Sequence, residues 1–202
     1  MKKRKLLLAA IALLLVFGIG STIAYLTDTE KQTNVFTMGK VDITLSEGNW
    51  NANNAKGMVP GQTVVKEPTI TNVGESKAYV FIEVKEPCVN GKKVFDYTVN
   101  NGWVPKDGTA ATCAADSDTD ITTVYAYGSA TQMTVTEKND VTAKLFNNVT
   151  LNTTLNTTDL DELSARDATN HEVNVVVTGY GIQSESLGAT TPTEVWAKYT
   201  SN

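Results

Sequence analysis

Apolar and polar residues alternate along much of this chain, and the alternation predicts β-strands with one buried face. In the clearest early example Val41, Ile43 and Leu45 each follow a polar residue, and a period of two places those side chains on one face of a strand. A nearly continuous apolar run over residues 78–84 predicts a central strand. Further strands are predicted over residues 64–73, 94–99, 121–127, 131–136, 141–145, 149–155 and 171–182.

Turn residues separate these runs, and only two segments have a helical pattern. Asn90-Gly91 is a strong hairpin signal, and Asn101-Gly102 supplies a second turn of the same kind. The small and acidic residues 110–120 predict a loop. A short helix is predicted over residues 158–165, and a final helix begins at residues 191–194, where Thr-Pro-Thr-Glu has the form of a capping box with proline in the first turn.

The spacing of these elements predicts an all-β fold. Eight or more short strands with turn residues between them are typical of an antiparallel β-sandwich or jelly roll, here with a few short helices. Strands and helices do not alternate, so a parallel sheet is not expected. Nothing in the middle of the chain has the composition of a linker, and residues 46–202 are therefore predicted to form a single β-sandwich domain. Residues 25–45 precede it as an N-terminal segment and first strand.

The first 24 residues have the three parts of a secretory signal peptide. Four basic residues precede an apolar run over residues 6–19, and small residues follow it. That run spans about 21 Å as a helix, less than the ~30 Å hydrocarbon core of a membrane. We therefore expect cleavage between Ala24 and Tyr25, with secretion to the cell surface or extracellular matrix. The alternative is an uncleaved anchor, since extension of the run to Ile23 gives a length at the lower limit for a span.

The charge of the chain narrows the choice of partners. It carries 17 Lys and Arg against 22 Asp and Glu, and four of the basic residues lie in the predicted signal peptide. The exported part is therefore acidic, which disfavours nucleic acid and anionic membranes as partners. No second long apolar run follows, so no stable membrane span is expected after cleavage.

Two cysteines, Cys88 and Cys113, are the candidates for a disulfide. Outside the cytoplasm such a pair can oxidise, and closing the loop between them would contribute ~3 kcal/mol on the chain-entropy model. The alternative is two buried free thiols. Spacing in the sequence does not decide whether the two residues meet.

The sequence offers little for catalysis or metal binding. His171 is the one histidine, and His171-Glu172 lacks the second histidine of H-E-x-x-H because position 175 is Val. Asp116, Asp118 and Asp120 begin like a calcium loop, but Ile121 stands where an EF-hand has glycine. We therefore predict no catalytic residues, no cofactor and no enzyme activity, with these three aspartates as a weak calcium candidate.

Several stretches resemble one known family. The run Gly-Ser-Thr-Ile-Ala-Tyr-Leu-Thr-Asp at residues 20–28, followed by Phe36, Gly39 and Val-Asp-Ile at residues 41–43, is similar to the N-terminus of the TasA/camelysin family. The internal stretches at residues 71–74, 78–84, 125–127, 144–149 and 177–183 are similar to its biofilm-matrix members.

The resemblance implies a jelly-roll fold, export through a signal peptidase of the SipW type, and a structural role in the fibres of a biofilm matrix. In TasA-like fibres the N-terminal strand of one subunit fills a groove in the next. Camelysin itself is described as a metalloprotease, and the missing H-E-x-x-H pattern argues against that activity here.

The segment after the cleavage site is the candidate for such a donor strand. Residues 25–38 would be a free, extended N-terminus, polar over residues 27–34. Self-assembly is then the expected partnership, with other matrix proteins as possible partners. The alternatives are a donor segment folded back on its own subunit, a monomeric adhesive or ligand-binding sandwich, and a secreted metalloprotease of the camelysin type. The side chains expected to contact the next subunit are Tyr25, Leu26, Val35, Phe36 and Met38.

Overall fold

Eleven strands, two α-helices and one 3₁₀ helix make up the described part of this chain, and the all-β prediction is confirmed. The computed structural model describes residues 40–167, 169 and 172–201. The predicted signal peptide, its cleavage site, the candidate donor segment 25–38 and His171 lie outside the described residues. The strands are β1 Ile43–Ser46, β2 Thr63–Val65, β3 Thr69–Asn72, β4 Ala78–Glu86, β5 Cys88–Val89, β6 Lys92–Lys93, β7 Phe95–Asp96, β8 Trp103–Pro105, β9 Ile121–Tyr127, β10 Asn148–Leu151 and β11 Val176–Gln183; the helices are α1 Thr157–Arg166, α2 Pro192–Thr200 and the 3₁₀ helix Ala52–Ala55.

One layer of the sandwich is a four-stranded antiparallel sheet in the order β11-β4-β9-β8. Its central strand β4 is buried on both faces, which explains the nearly continuous apolar run in the sequence. Val80, Ile82 and Val84 face the second layer. Tyr79 and Phe81 face the other way, where they pack with Val195 of α2.

The second layer consists of two small antiparallel sheets, β1-β3 and β2-β10-β7. Strands β2 and β3 follow each other and are separated at Pro68, which has no N–H to give to a ladder. The segment before β10 runs beside both, since Thr142 N donates to Ile70 O and Leu145 N donates to Pro68 O. The two small sheets are therefore continuous along one face of the core.

Three apolar clusters stabilise these layers. The largest lies between the two layers and contains Ile70, Tyr125 and Phe146. The second lies between the four-stranded sheet and α2. The third joins Val89, Leu151 and neighbouring residues to Leu163 of α1. Both helices thus cover apolar surface that the sheets leave exposed, and this burial stabilises the fold.

Two glycines bring β1 close to β11 across the layers. Gly179 and Gly181 lie on the inner face of β11, opposite Ile82 and Val80 of β4. A Cβ on Gly181 would lie 2.9 Å from Cγ2 of Ile43 and 3.1 Å from Cγ1 of Val41. Glycine within a strand therefore marks a close approach of a second layer here.

Substitution Gly181→Val is expected to destabilise the fold by forcing β1 away from β11. Overpacking of this kind costs about 1–3 kcal/mol, which lowers the melting temperature by about 3–10 °C in a domain of this size. Thermal unfolding of the two proteins measures the difference. The control is Thr178→Val on the opposite face of the same strand, and an equal loss in both variants would contradict the close-packing account.

The strand predictions are confirmed in part. The Asn90-Gly91 turn is confirmed, because both residues have positive φ (48° and 73°) and connect β5 to β6. Residues 131–136 and 141–145 were expected to be strands and form only single bridges. Their backbone groups bond elsewhere, as when Met133 N donates to Thr190 O. The late strand, predicted over residues 171–182, begins at Val176, and the described residues 172–175 are not part of it.

The turn at Asn101-Gly102 does not close a hairpin, in contrast to the prediction. It leads into β8, which pairs with β9 and not with the preceding β7. The turn therefore lies in a connection that crosses from one layer of the sandwich to the other. A turn dipeptide fixes the local reversal of the chain, whereas the pairing partner depends on the whole sheet.

The two helices begin differently from the expectation. Asn156 and Asp159 form a full capping box at α1, which the sequence reading missed. At α2 the Thr191 hydroxyl donates to the Glu194 carboxylate (2.8 Å) and does not accept a helix N–H. The predicted capping box is therefore incomplete on the threonine side. That hydroxyl bond is the main cause that lowers the pKa of Glu194.

Candidate assembly edge

Residues 40–42, which we call the root of the N-terminal segment, are held by backbone hydrogen bonds. The Asp42 carbonyl accepts from Val73 N (2.9 Å) and Gly74 N (3.0 Å), and the Lys40 carbonyl accepts from Glu75 N (3.0 Å) and Ser76 N (3.3 Å). The turn over residues 73–76 therefore holds the chain just after the candidate donor segment ends. Any segment that precedes Lys40 starts from a fixed position on the domain.

Asn72 shapes this turn from inside the protein. Its buried side-chain amide donates to the Ser76 carbonyl (2.9 Å) and the Thr136 carbonyl (3.0 Å), and its oxygen accepts from Gly74 N (3.0 Å). A Cβ on Gly74 would lie only 2.4 Å from the Lys40 oxygen. The stretch 71–74, noted above for its family resemblance, thus has a physical role, because it holds residues 40–42 in place.

Strand β11 is the longest open edge in the described part of the chain. It has eight residues and pairs with β4 on one side only. It contains no charged residue and no proline, the features with which proteins usually protect an edge. Because alternate residues of an edge strand direct N–H and C=O groups outward, β11 offers a row of backbone donors and acceptors to another strand.

The other edge strands are shorter than β11. In the four-stranded sheet the opposite edge is β8, which has three residues and includes Pro105. In the second layer, β1 pairs only with β3 among the described residues. Since Ile43 of β1 lies against Gly179 and Gly181 of β11, these two open edges are on the same side of the sandwich.

Comparison with known proteins gives one family. A family model described as camelysin metallo-endopeptidase matches residues 2–89. Over those residues, which are a little under half of the chain, the sequence is similar to the camelysin family. The match includes the predicted signal peptide, the candidate donor segment, β1 and the turn that holds it. No curated protein and no solved structure matches the chain at a significant level.

The family model is described as a metallo-endopeptidase, and such an enzyme needs side chains that bind a metal ion. Among residues 40–167, 169 and 172–201, no three His, Cys, Asp or Glu side chains are grouped so that they could hold a metal ion. Two of the three calcium candidates are paired with cations: Arg166 lies 3.1 Å from Asp118, and Lys85 lies 3.3 Å from Asp120. Asp116 occupies a turn with φ of 53°. The structure thus does not bring the three carboxylates together around one point.

The fold brings the two cysteines together. The Cα atoms of Cys88 and Cys113 are 5.9 Å apart and their sulfurs are bonded. The bond attaches the loop before β9 to the β5–β6 hairpin. The same loop is held by Gly91 N, which donates to the Ser117 carbonyl, and by Asn90 N, which donates to the Asp118 carboxylate.

A buried polar cluster surrounds Glu86, the last residue of β4. Glu86 is fully buried and accepts from Lys93 (2.7 Å) and from the Tyr97 hydroxyl (3.1 Å). Burial, and then the charge of Glu86, raise the pKa of Tyr97. One Glu86 oxygen, Oε2, has no hydrogen-bond partner among the described residues. Since the carboxylate is enclosed, we assign the cluster to the core and not to a reactive site.

The helices of the described residues give no membrane-crossing element, since each is too short or too polar for a span. This finding concerns the described residues alone. The apolar run over residues 6–19 is not among them.

Acid is expected to weaken the domain through Asp159 of α1. The backbone N–H of Asn156, then Lys92 and Asn90, lower the pKa of Asp159 from 3.8 to about 2. A depressed pKa means that the ionised group stabilises the fold above about pH 4, and that this contribution disappears as the pH falls towards 2. The melting-temperature difference between the unmodified chain and Asp159→Asn should therefore be large at pH 6 and small at pH 2.5. A difference independent of pH would contradict this, and Asp161→Asn, at an exposed position of the same helix, is the control.

Proposed function

We propose that this chain is a secreted structural subunit that assembles into extracellular fibres of a biofilm matrix. Segment 25–38 of one subunit would add as a strand to the β11 edge of the next. The observation that carries the proposal is the open edge of β11, with eight residues, no charge and no proline. Addition of a strand to such an edge is a common mode of recognition between chains.

The geometry of the root supports donation to a neighbour. Val41 lies over Gly181 and Leu45 lies over Gly179, so the described chain, followed back from Leu45 to Val41, runs towards the Gln183 end of β11. A segment that continues in this direction leaves its own domain. A segment that pairs with its own β11 has to reverse and cross ~10 Å between layers, which uses about three extended residues.

Two kinds of contact would stabilise the donated strand. Over the polar residues 27–34 the hydrogen bonds of the backbone would supply most of the affinity. Val35, Phe36 and Met38 would add apolar contacts close to the root. Donation from each subunit to the next is a head-to-tail contact that need not close, and such contacts build filaments.

Export and assembly would be coupled by the signal peptide. Until cleavage after Ala24, the donor segment is attached to the apolar run over residues 6–19. A signal peptidase of the SipW type would release it with a free N-terminus at Tyr25. The fibre would then be a homopolymer to which other matrix proteins can attach.

Substitution Thr178→Lys tests the proposed edge. Thr178 is opposite Glu83 of β4, so a lysine there has a carboxylate neighbour within the fold. It also places a charge on the edge, which disfavours a further strand. We expect the variant to fold with an unchanged melting temperature and to form no filaments under the electron microscope. The matched control, Thr178→Val, should form them, and filaments of normal length from Thr178→Lys would refute the choice of β11.

The family description favours a second candidate function, that of a metallo-endopeptidase. The sequence supports a structural subunit instead, because the helix-type H-E-x-x-H pattern is missing and position 175 is Val in a run of valines. Incubation of purified mature protein with casein separates the two. Hydrolysis that a chelator abolishes would establish the protease and would make assembly at most a second role.

A further inference from the structure

The chain contains two Asn-Gly pairs in contrasting environments, and the difference points to a modification site. In an Asn-Gly pair the backbone nitrogen of glycine can attack the side-chain amide carbon of asparagine, because glycine has no side chain to obstruct the approach. The reaction needs a free asparagine amide and a free glycine N–H. The two pairs, at residues 90–91 and 101–102, differ in both respects.

At Asn90 both reacting groups are held. The side-chain nitrogen donates to Asp159 (2.9 Å) and Glu162 (2.8 Å), two charge-assisted hydrogen bonds. Gly91 N donates to the Ser117 carbonyl at 3.0 Å. The surroundings are also crowded, since a Cβ on Gly91 would lie 2.9 Å from Asp116 N.

At Asn101 neither group is held by the described residues. Asn101 and Gly102 are exposed, and no hydrogen bond joins the Asn101 side chain or Gly102 N to any other described residue. The nearest atom to a Cβ on Gly102 would be a ring carbon of Tyr127 at 3.4 Å. The preceding Asn100, in contrast, is anchored through its backbone N to Leu145 O and through its side chain to Lys144 O.

We infer that Asn101 is a site of spontaneous deamidation and that Asn90 is protected from it by the fold. The Gly102 nitrogen forms a bond to Cγ of Asn101, the bond from Cγ to the side-chain nitrogen breaks, and ammonia leaves. The resulting succinimide ring then adds one water at either carbonyl. The product is aspartate or isoaspartate at position 101, and no oxidant or reductant takes part.

The modification adds one negative charge to an already acidic chain. It falls in the connection to β8, which is the edge of the four-stranded sheet opposite β11. The charge therefore accumulates away from the proposed assembly edge, and the inference does not rest on the proposed function. In a chain that remains outside the cell, the modified fraction would increase with the age of the molecule.

Peptide mapping by mass spectrometry tests this directly. Mature protein is incubated at mildly alkaline pH, once folded and once reduced and unfolded in urea, and the gain of about one dalton is followed at both sites. We expect conversion at Asn101 at least about tenfold faster than at Asn90 in the folded protein, and similar rates at the two sites once the hydrogen bonds at Asn90 are lost.

Asn101→Gln is the matched control, and it should remove the fast phase while leaving Asn90 unchanged. Equal rates at the two sites in the folded protein would overturn the inference, as would faster conversion at Asn90. A rate ratio that is the same in the folded and the unfolded chain would also overturn it, because the fold would then have no part in the selection.

Discussion

Deletion of residues 25–38 from the mature chain is expected to abolish filaments and leave a folded monomer. The three apolar clusters that we describe consist of residues from Val41 onwards, so the deletion removes none of their side chains. The root over residues 40–42 also keeps its hydrogen bonds to the 73–76 turn. Size-exclusion chromatography and electron microscopy measure the assembly state, and thermal unfolding checks that the domain is intact.

Two controls make the deletion informative. A synthetic peptide of residues 25–38, added to the full mature chain, should shorten its filaments by occupying the acceptor edge. The same peptide with its order scrambled should have no effect. Filaments of normal length from the deleted protein would mean that strand donation is not the contact between subunits.

Substitution Asn72→Ala is expected to have the largest effect on stability. It leaves the Ser76 carbonyl without a partner in a buried place, and it removes one of two hydrogen bonds at the Thr136 carbonyl and at Gly74 N, which keep Ala78 N and Asp42 O. An unsatisfied buried group costs about 1–3 kcal/mol and each further lost hydrogen bond about 0.5–1.5 kcal/mol, so we expect a loss of several kcal/mol and a melting temperature lower by ~10 °C. Because the turn holds residues 40–42, the loss should also increase proteolysis near Lys40.

The control for Asn72 is an exposed asparagine with comparable bonds. Asn147 hydrogen-bonds Asn100 at the surface (3.2 Å), and Asn147→Ala should change the melting temperature little. An Asn72→Ala protein as stable as Asn147→Ala would show that the 73–76 turn does not depend on the buried amide. The family resemblance of residues 71–74 would then need another explanation.

Periodicity predicted the strands whose backbones pair along their length. The central strand β4 and the strand β9 were expected from their apolar runs and are present. Over residues 131–136 periodicity failed, although Met133 is buried as the pattern suggests. An alternating pattern indicates which side chains face a core, but it does not indicate whether the backbone pairs with another strand. Met133 N bonds to Thr190 in the connection before α2, a long-range contact that no local pattern reveals.

For a related reason, the sequence could not predict that β11 is an edge strand. Whether β11 is central or at an edge depends on the order of strands in the sheet, and this order follows from long-range contacts. One local feature did point to the site. Gly179 and Gly181 interrupt an otherwise clear strand two residues apart, and glycine in a strand often marks a close backbone approach.

The distance between Cys88 and Cys113 likewise required the fold. The sequence offered a disulfide and two free thiols as alternatives, and the structure brings the Cα atoms to 5.9 Å. Strands β6, β7 and β8 lie between the two residues in the sequence, and the Asn90-Gly91 turn reverses the chain just after Cys88. Only the packing of that hairpin against the loop before β9 determines the approach.

A cryo-electron-microscopy reconstruction of fibres grown from the purified mature protein tests the central claim most directly. The account predicts continuous density for residues 25–38 of one subunit, hydrogen-bonded as an added strand along Val176–Gln183 of the next. Density for the segment on its own subunit would contradict the account. A β11 edge that stays unpaired within the fibre would contradict it as well.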